Sequence, residues 1–362
     1  MKNVDLVVIG GGPAGLCASI SAASSGARIL LVDRNKKLGG QLIKQTHMFF
    51  GSEKQYASRR GIDIAEILIQ DLMKYKDNID IMTNATALGI YEDGVITIDY
   101  DQKYIKVKPK AMLIATGASE KVLAFPNNDL PGIYGAGAVQ TLMNVYGIKP
   151  GKRVLMVGAG NIGLIVSYQL LQAGVEVVAV IDAAPKIGGY LVHASKIRRM
   201  GVPILTGYTV KEAIGYPCLE EAVIWKLDDK WNPIEGTELK FNVDVMCISV
   251  GLTPLTELLL QAGCQMKYVA ELGGLVPVRD ENYQTSKKNI FVAGDVSGVE
   301  EASSAMVEGY LAGLCAAKSI GYKHQFFDEL KQDYINQLND LRSGITGEKI
   351  RIGISKILKE VI

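Results

Sequence analysis

From Asp5 to Arg34 the chain reads DLVVIGGGPAGLCASISAASSGARILLVDR. An apolar run of strand composition, Leu6 to Ile9, enters the turn Gly10-Gly11-Gly12-Pro13-Ala14-Gly15. A helix of small residues follows, and a second apolar run closes on Asp33. Strand, glycine turn, helix and strand in that order form a βαβ unit suited to a dinucleotide. Gly10 permits the tight turn, Gly12 lets the backbone approach a pyrophosphate, and Gly15 lets helix and strand pack closely. The free N–H groups at the helix start face the phosphates. Asp33, 23 positions after Gly10, stands where a carboxylate accepts hydrogen bonds from a ribose. Lys2 followed by apolar and small residues has the order of an export signal, but acidic Asp5 and the glycines interrupt it, so none is expected.

At 362 residues the chain has room for about two domains. Its 39 lysines and arginines nearly balance 38 aspartates and glutamates, which argues against a nucleic-acid or acidic-membrane partner. Cys17, Cys218, Cys247, Cys264 and Cys315 are scattered, and none forms a Cys-x-x-Cys pair. They read as small core residues in a reducing compartment, not as a disulfide framework, a zinc site or an iron–sulfur site, and no metal is expected. No uncharged apolar run reaches the ~18 residues of a membrane span. A soluble, cytoplasmic chain without a transmembrane segment is the expectation.

After Asp33 the chain turns at Gly39-Gly40 and delivers Gln41, Lys44, Gln45 and His47 towards whatever the nucleotide fold carries. Residues 62–76 have helical apolar spacing, and 79–107 read as alternating short strands leading to the apolar strand 111–117. The same plan then recurs. Arg153 to Gly163, RVLMVGAGNIG, is a strand entering a second glycine turn, with Gly158, Gly160 and Gly163 in the three glycine places. A helix (164–173) and a strand (175–181) close on Asp182. Asp33 precedes Gly39-Gly40 by the same six residues as Asp182 precedes Gly188-Gly189. A meander (205–245) and the strand 245–251 complete a second copy of one nucleotide-binding design. An acid at Asp182, with alanine at 183 and 184 where an arginine would take a 2′-phosphate, favours NAD over NADP.

Near the end, Asn289-Ile-Phe-Val-Ala-Gly-Asp295 is another apolar strand that stops at an aspartate, and 300–317 is helical with Ala302, Ala305, Gly309 and Ala312 on one small-residue face. An aspartate there binds sugar-like hydroxyls or caps a turn, and the helix start stabilises negative charge on a ring placed before it. The last stretch, from Gln325, has apolar positions at helical spacing (Phe326, Phe327, Leu330, Tyr334, Leu338, Leu341) that cover the protein's own surface or dock a partner.

Together these motifs resemble the two-dinucleotide-domain flavoproteins, the pyridine nucleotide–disulfide oxidoreductase superfamily that includes thioredoxin reductase, over about residues 4–320. The resemblance implies an α/β fold of two Rossmann-like (three-layer ββα) domains. An FAD-binding domain at 1–120 and 250–324 would be interrupted by an NAD-binding domain at 121–249, with a C-terminal helical tail at 325–362. It implies that Gly10, Gly12, Pro13, Ala14, Asp33, Arg34, Gly40, Gln41, Ala87, Ala115, Thr116, Gly117, Gly294, Asp295 and Ala302 hold FAD. Gly158, Gly160, Asn161, Ile162, Asp182, Val250 and Gly251 would hold NAD or another adenine nucleotide. Lys44, His47 and Glu301 are the candidates for tuning the flavin. The chain departs from thioredoxin reductase in two places: Gly135-Ala-Gly-Ala-Val-Gln140 stands where the redox dithiol would be, and Glu300-Glu301 replace the usual arginine and glutamine.

A narrower resemblance is carried by GGQLIKQTHMFFG, the stretch FPNNDLPGIYGAGAVQTLMNVYGIKPGKRVLMVGAGNIGLIVSYQLLQAG, VGLTPLTELL and AGDVSGVEEASSAMVEGYLAG. These are similar to the α subunits of amine dehydrogenase complexes: dye-linked proline and hydroxyproline dehydrogenases, opine oxidase, hydrogen cyanide synthase and heteromeric sarcosine oxidase. The resemblance implies partners, namely a second (β) flavoprotein that oxidises the amine and a small iron–sulfur subunit. The chain would be the redox subunit, passing electrons between a partner and NAD(H) or another acceptor. A stand-alone NADH-dependent reductase of ferredoxin, quinone or a small molecule, and a nucleotide-binding scaffold subunit, are the alternatives.

Overall fold

The computed structural model describes residues 4–358. Lys2 of the signal-like pattern and positions 359–362 of the expected tail lie outside the described residues. Within them the chain forms two compact units, one running to Ser119 and resuming at Thr253, the other Glu120–Leu252.

The first unit opens with β1 (Leu6–Ile9), α1 (Pro13–Ser24), β2 (Ile29–Val32), α2 (Gly61–Met73) and β3 (Ile79–Met82). A three-stranded antiparallel meander, Ala85–Ile90, Ile96–Tyr100 and Lys103–Val107, leads to β4 (Ala111–Ile114). The second unit contains β5 (Ile133–Gly135), α3 (Ala136–Tyr146), β6 (Arg153–Val157), α4 (Asn161–Gln172), β7 (Glu176–Asp182), α5 (Leu191–Arg199) and β8 (Ile204–Thr206). Its own meander, Tyr208–Ile214, Glu221–Lys226 and Leu239–Asn242, precedes β9 (Val245–Ile248). The chain then returns to the first unit with β10 (Ile290–Val292), α6 (Ala302–Ser319), α7 (Phe327–Leu341) and α8 (Gly344–Ser355).

Each unit is built on a five-stranded parallel sheet, β10-β4-β1-β2-β3 in the first and β8-β7-β6-β9-β5 in the second. The central strands are apolar on both faces because helices cover one side and a meander the other. β1, β2 and β4 are buried throughout, as is β9. The two sheets differ in register at one central pair. β1 pairs with β2 without a break, whereas the β6–β7 register shifts between Val154 and Leu155, whose partners are Val177 and Ala179. Val178 is a bulge, and it absorbs the one extra residue that separates Asp182 from Gly158 relative to Asp33 from Gly10.

Helix α1 starts with Pro13 at its first turn, where the missing N–H costs nothing. It lies against α6, and glycines make that approach possible. A Cβ on Gly309 would sit 2.2 Å from the Ala14 carbonyl oxygen, and one on Gly313 would sit 2.3 Å from that of Ala18. The small-residue face expected on this helix is therefore its contact with α1.

Several expectations shift in detail. The helix expected at 300–317 begins at Ala302, with Glu301 at its N-cap, and runs to Ser319. The stretch 205–245 contributes β8 to the main sheet before its meander begins. Among the described residues the tail holds two helices, separated by Arg342 and Ser343, and Gly344 at the start of the second has φ +67°. Phe326, expected in its apolar stripe, is exposed. Four cysteines are buried as expected, but Cys218 is exposed.

Candidate functional site

The parallel strands β1, β2, β4 and β10 all end on the same edge of the first sheet, and the residues that follow them converge there. Carboxyl ends of parallel strands, where the order runs outward from β1 in both directions, are where such sheets take ligands. Gly10 follows β1, and a Cβ on it would lie 2.2 Å from the Ala115 carbonyl oxygen at the end of β4. Gly15 is tighter still, with the Gly10 carbonyl oxygen 1.7 Å from its virtual Cβ. Gly294 sits against Ala14, a virtual Cβ meeting the Ala14 methyl at 2.8 Å. Thr116 donates its hydroxyl to the Leu255 carbonyl at 2.6 Å, and the Gly117 carbonyl accepts from Leu255 N–H at 3.0 Å.

Gly12 behaves differently. Its φ of −77° is open to any residue, and a Cβ there would meet only Gly40 Cα, at 3.8 Å. The chain's own packing does not require glycine at this position, so the space in front of it fits a ligand that comes up to the backbone. Gly39 N–H donates to the Gly11 carbonyl at 2.8 Å, and Gly40 stacks its backbone on Gly12, where a Cβ would be 2.6 Å from Gly12 Cα. Gln41 is exposed on the 3-10 turn Gly40–Lys44 that follows.

Asp33 is buried just after β2. Its carboxylate accepts the N–H of Gly11 at 2.6 Å and that of Asn35 at 2.7 Å, so it staples the glycine turn to the end of β2. Each carboxylate oxygen retains a further lone pair for a hydroxyl. Arg34 beside it is exposed, and Ala87 lies on the meander strand whose first residue, Ala85, donates its N–H to the Asp33 carbonyl.

The second unit repeats this construction. A Cβ on Gly158 would lie 2.1 Å from the Ser249 carbonyl oxygen, and one on Gly163 would lie 2.0 Å from the Gly158 carbonyl oxygen. Gly160, with φ −75°, has nothing within 4 Å of a virtual Cβ. Asp182 accepts N–H bonds from Ala159 at 2.7 Å and Ala184 at 2.8 Å. The closing turn is displaced by one residue: Gly189, not Gly188, donates to the Ala159 carbonyl at 2.9 Å and packs on Gly160. Asn161 is occupied in that turn, its side-chain oxygen accepting Tyr190 N–H at 2.8 Å. Ile162, Val250 and Gly251 are exposed around the opening side of this unit's strand ends.

The three flavin-tuning candidates are placed less closely. Lys44 ends the 3-10 turn and His47 lies beyond it, half-buried, its ring 5.8 Å from that of Phe49. Glu301 is the exposed N-cap residue of α6, and its side chain makes no cap hydrogen bond there. Ala302 is the first residue of that helix.

A charged cluster behind Gly294 and Asp295 goes beyond what the motifs foretell. Glu308 of α6, 4% exposed, accepts Gly294 N–H at 2.8 Å on one oxygen and the Tyr283 hydroxyl at 3.0 Å on the other. Arg342, from the turn between α7 and α8, bonds the same carboxylate at 2.5 Å and Glu300 at 2.7 Å. Arg279 lies 3.8 Å above the Tyr283 ring and 3.9 Å from Glu308. Burial, reinforced by the carboxylates of Glu308, Glu300 and Glu301 and opposed by the N–H of Glu300, pushes Asp295 up to about 7. The sequence does hold one signal for this cluster, because Glu308 is the only charge between Ala302 and Ala317, and a buried carboxylate needs a cationic partner.

Among the described residues no group of His, Cys, Asp and Glu is arranged to hold a metal ion, and no helix is long and apolar enough to cross a membrane.

The family description "pyridine nucleotide-disulphide oxidoreductase" matches residues 4–309. An opine oxidase subunit of Agrobacterium tumefaciens (strain Ach5) is 29% identical over 332 residues, covering 86% of this chain and 65% of its own length. The crystal structure of L-proline dehydrogenase from P. horikoshii superposes with a TM-score of 0.68 at 23% identity, covering 92% of this chain and 59% of that one. Thioredoxin reductase of T. acidophilum gives a TM-score of 0.71 at 22% identity, over 88% of this chain and 99% of its own. The chain thus spans less than two thirds of the opine oxidase relative and of the proline dehydrogenase chain.

Proposed function

Because the chain belongs to the pyridine nucleotide-disulphide oxidoreductase family, we propose that it is the redox subunit of an amine or amino-acid dehydrogenase complex. Members of the family bind FAD and a pyridine nucleotide, and the chain is an FAD-dependent oxidoreductase. In our reading the unit containing Gly12 takes FAD and the unit containing Gly160 takes NAD. Electrons pass between a partner's reduced centre and NAD(H).

The observation that carries this reading is the pair of open glycine positions without an accompanying thiol pair. Among the described residues nothing comes closer than 3.8 Å to a Cβ at Gly12 or Gly160, and each sits beside a backbone-anchored aspartate. None of the five cysteines is in a disulfide, and only Cys218 is exposed. Burial raises the thiols of Cys17 and Cys247 and pushes Cys315 up to about 11, so these are poor nucleophiles for disulfide exchange. Substrate oxidation is then the work of a partner, a division of labour suggested by the opine oxidase relative, which is named as one subunit of its enzyme.

In the first unit, Gly12, Gly40 and the N–H groups starting α1 would hold a pyrophosphate, Asp33 a ribose, and Gly294–Asp295 the sugar-alcohol chain of FAD. When bound, FAD supplies reversible one- and two-electron chemistry. The chain's own contribution is orientation. The glycine turns would fix the phosphates, and Glu308 holds the Gly294 backbone in place. In the second unit Asp182 disfavours a 2′-phosphate, which makes NAD the preferred nucleotide.

The test is anaerobic addition of NADH to the purified, flavin-loaded chain, followed by visible absorption. Bleaching is expected. A flavin that ignores NADH but bleaches with partner subunits and proline would leave a relay without a catalytic nucleotide site. Turnover of free quinone or ferredoxin by the chain alone would favour the stand-alone reductase instead.

A further inference from the structure

The C-terminal helices α7 and α8 are tied to the loop that carries Gly294 and Asp295, and a single side chain makes most of the connection. Arg342 donates from Nε to both oxygens of Glu300 at 3.1 Å, from Nη2 to Glu300 at 2.7 Å, and from Nη2 to Glu308 at 2.5 Å. Glu308 in turn holds Gly294 N–H. Arg342, Glu300 and Glu308 have side chains only 10%, 9% and 5% exposed, so these charges depend on one another for compensation. The backbone of Arg342 is equally committed. Its carbonyl accepts from the Arg351 guanidinium, and α8 passes close enough that a Cβ on Gly347 would meet that carbonyl oxygen at 2.0 Å.

A second contact braces the same loop. Ile357 is fully buried with Val269, Leu272 and Val276, while Ile350 and Ile354 of α8 pack against them. The Leu272 carbonyl accepts Val299 N–H at 3.0 Å, so the surface on which α8 rests also positions the residue before Glu300. Arg279 N–H donates to the Ile357 carbonyl at 3.1 Å and its Nε donates to Ser297 at 3.0 Å. The loop from Gly294 to Glu300 is thus gripped at both ends by groups that the tail holds in place.

We propose that Arg342 is a positioning residue for FAD, latching the C-terminal helices onto the Gly294–Glu300 loop so that tail closure and cofactor retention are one coupled event. This rests on the reading above that Gly294 and Asp295 face FAD. Coupling is reciprocal: if a latched tail retains the cofactor, bound cofactor must hold the tail closed by the same factor. A tail that only covered apolar surface would have no such dependence.

The experiment compares wild-type, Arg342→Lys and Arg342→Gln full-length chains. FAD dissociation is followed by recovery of free-flavin fluorescence, and backbone hydrogen exchange is followed in 327–341 with and without added FAD. In the wild type FAD is expected to slow exchange of α7 about tenfold or more, and Arg342→Gln to lose that protection and release FAD about tenfold faster. Arg342→Lys, which keeps the charge but not the fork, should fall between. Exchange in α7 that ignores FAD in a wild-type chain that binds it would overturn the latch, as would Arg342→Gln releasing FAD at the wild-type rate. Should Arg342→Gln fail to fold, the wild-type exchange comparison and Arg342→Lys still decide. A wild-type chain that binds no FAD at all would instead defeat the functional reading on which the latch depends.

Discussion

The two units are the same design carried out under different constraints. In both, the first glycine of the turn abuts the carbonyl at the end of a neighbouring strand, the third abuts the first, and the middle one faces open space. In both, an aspartate takes two backbone N–H bonds and thereby braces the turn. They part at the edges. The first sheet is completed by β10, which returns from the far end of the chain and brings Gly294, Asp295 and the buried arginine–glutamate cluster with it. The second is completed by β5, which precedes its own fingerprint by one helix and ends in Gly135; Glu120 accepts the Gly137 N–H of that helix at 2.6 Å. The braced glycine turn is local and repeatable, whereas the segments that complete the two sheets differ.

The sharpest break of this comparison lies between first, middle and third glycines. Gly15→Ala forces a methyl into the Gly10 carbonyl and is expected to cost more than about 2 kcal/mol of stability by denaturant unfolding, a loss of overpacking size. Gly12→Ala and Gly160→Ala should leave stability within about 0.5 kcal/mol, since no atom of the chain is displaced, while each weakens its own nucleotide. Equal destabilisation at Gly12 and Gly15 would refute the idea that the middle glycine is reserved for a ligand.

A smaller effect separates the units by pH. The unfolded chain releases the Asp295 proton near 3.8, while the folded unit keeps it until about 7 because burial and nearby carboxylates disfavour the charge. Between those values the folded state binds more protons, so stability falls as pH rises, by at most about 1.4 kcal/mol per pH unit. Asp295→Asn should flatten that slope in chemical denaturation between pH 4 and 7; an unchanged slope would show that Asp295 is not its source.

Next come the anchoring acids. Asp33→Asn and Asp182→Asn each replace one carboxylate acceptor by an amide donor against a backbone N–H, and each should lose about 1–3 kcal/mol. Because the two acids make matching bonds, the two losses should be alike, and a large disparity would mean that the turns are not equivalent. The smallest effect concerns the thiols. Under native conditions iodoacetamide should label Cys218 alone, and Cys218→Ser should abolish labelling without moving the melting temperature.

Much of this is legible in the sequence because it is short-range backbone chemistry. Gly10, Gly15, Gly158 and Gly163 are demanded by carbonyls that any such turn places against them, and the apolar strands β1, β4, β6 and β9 announce themselves by composition. Counting six residues from each aspartate to a glycine pair gives Gly188 as the counterpart of Gly39. The turn after Asp182 is one residue longer than the turn after Asp33, and this makes Gly189 the residue that closes on Ala159. The Glu300–Arg342 pair is out of reach for a different reason. Its partners are separated by two helices, and a pairing across 42 positions leaves no periodic mark. The lone Glu308 in an apolar helix is the visible half of that cluster; its cation can be identified only once the tail has been folded back.

The central proposal, that one of the two like cradles takes FAD and the other NAD, is tested most directly by anaerobic NADH addition to wild-type, Gly12→Val and Gly160→Val chains. The account predicts that the wild type carries FAD and bleaches, Gly12→Val folds without FAD, and Gly160→Val keeps its FAD but no longer bleaches. A Gly160→Val chain that bleaches at the wild-type rate would contradict it.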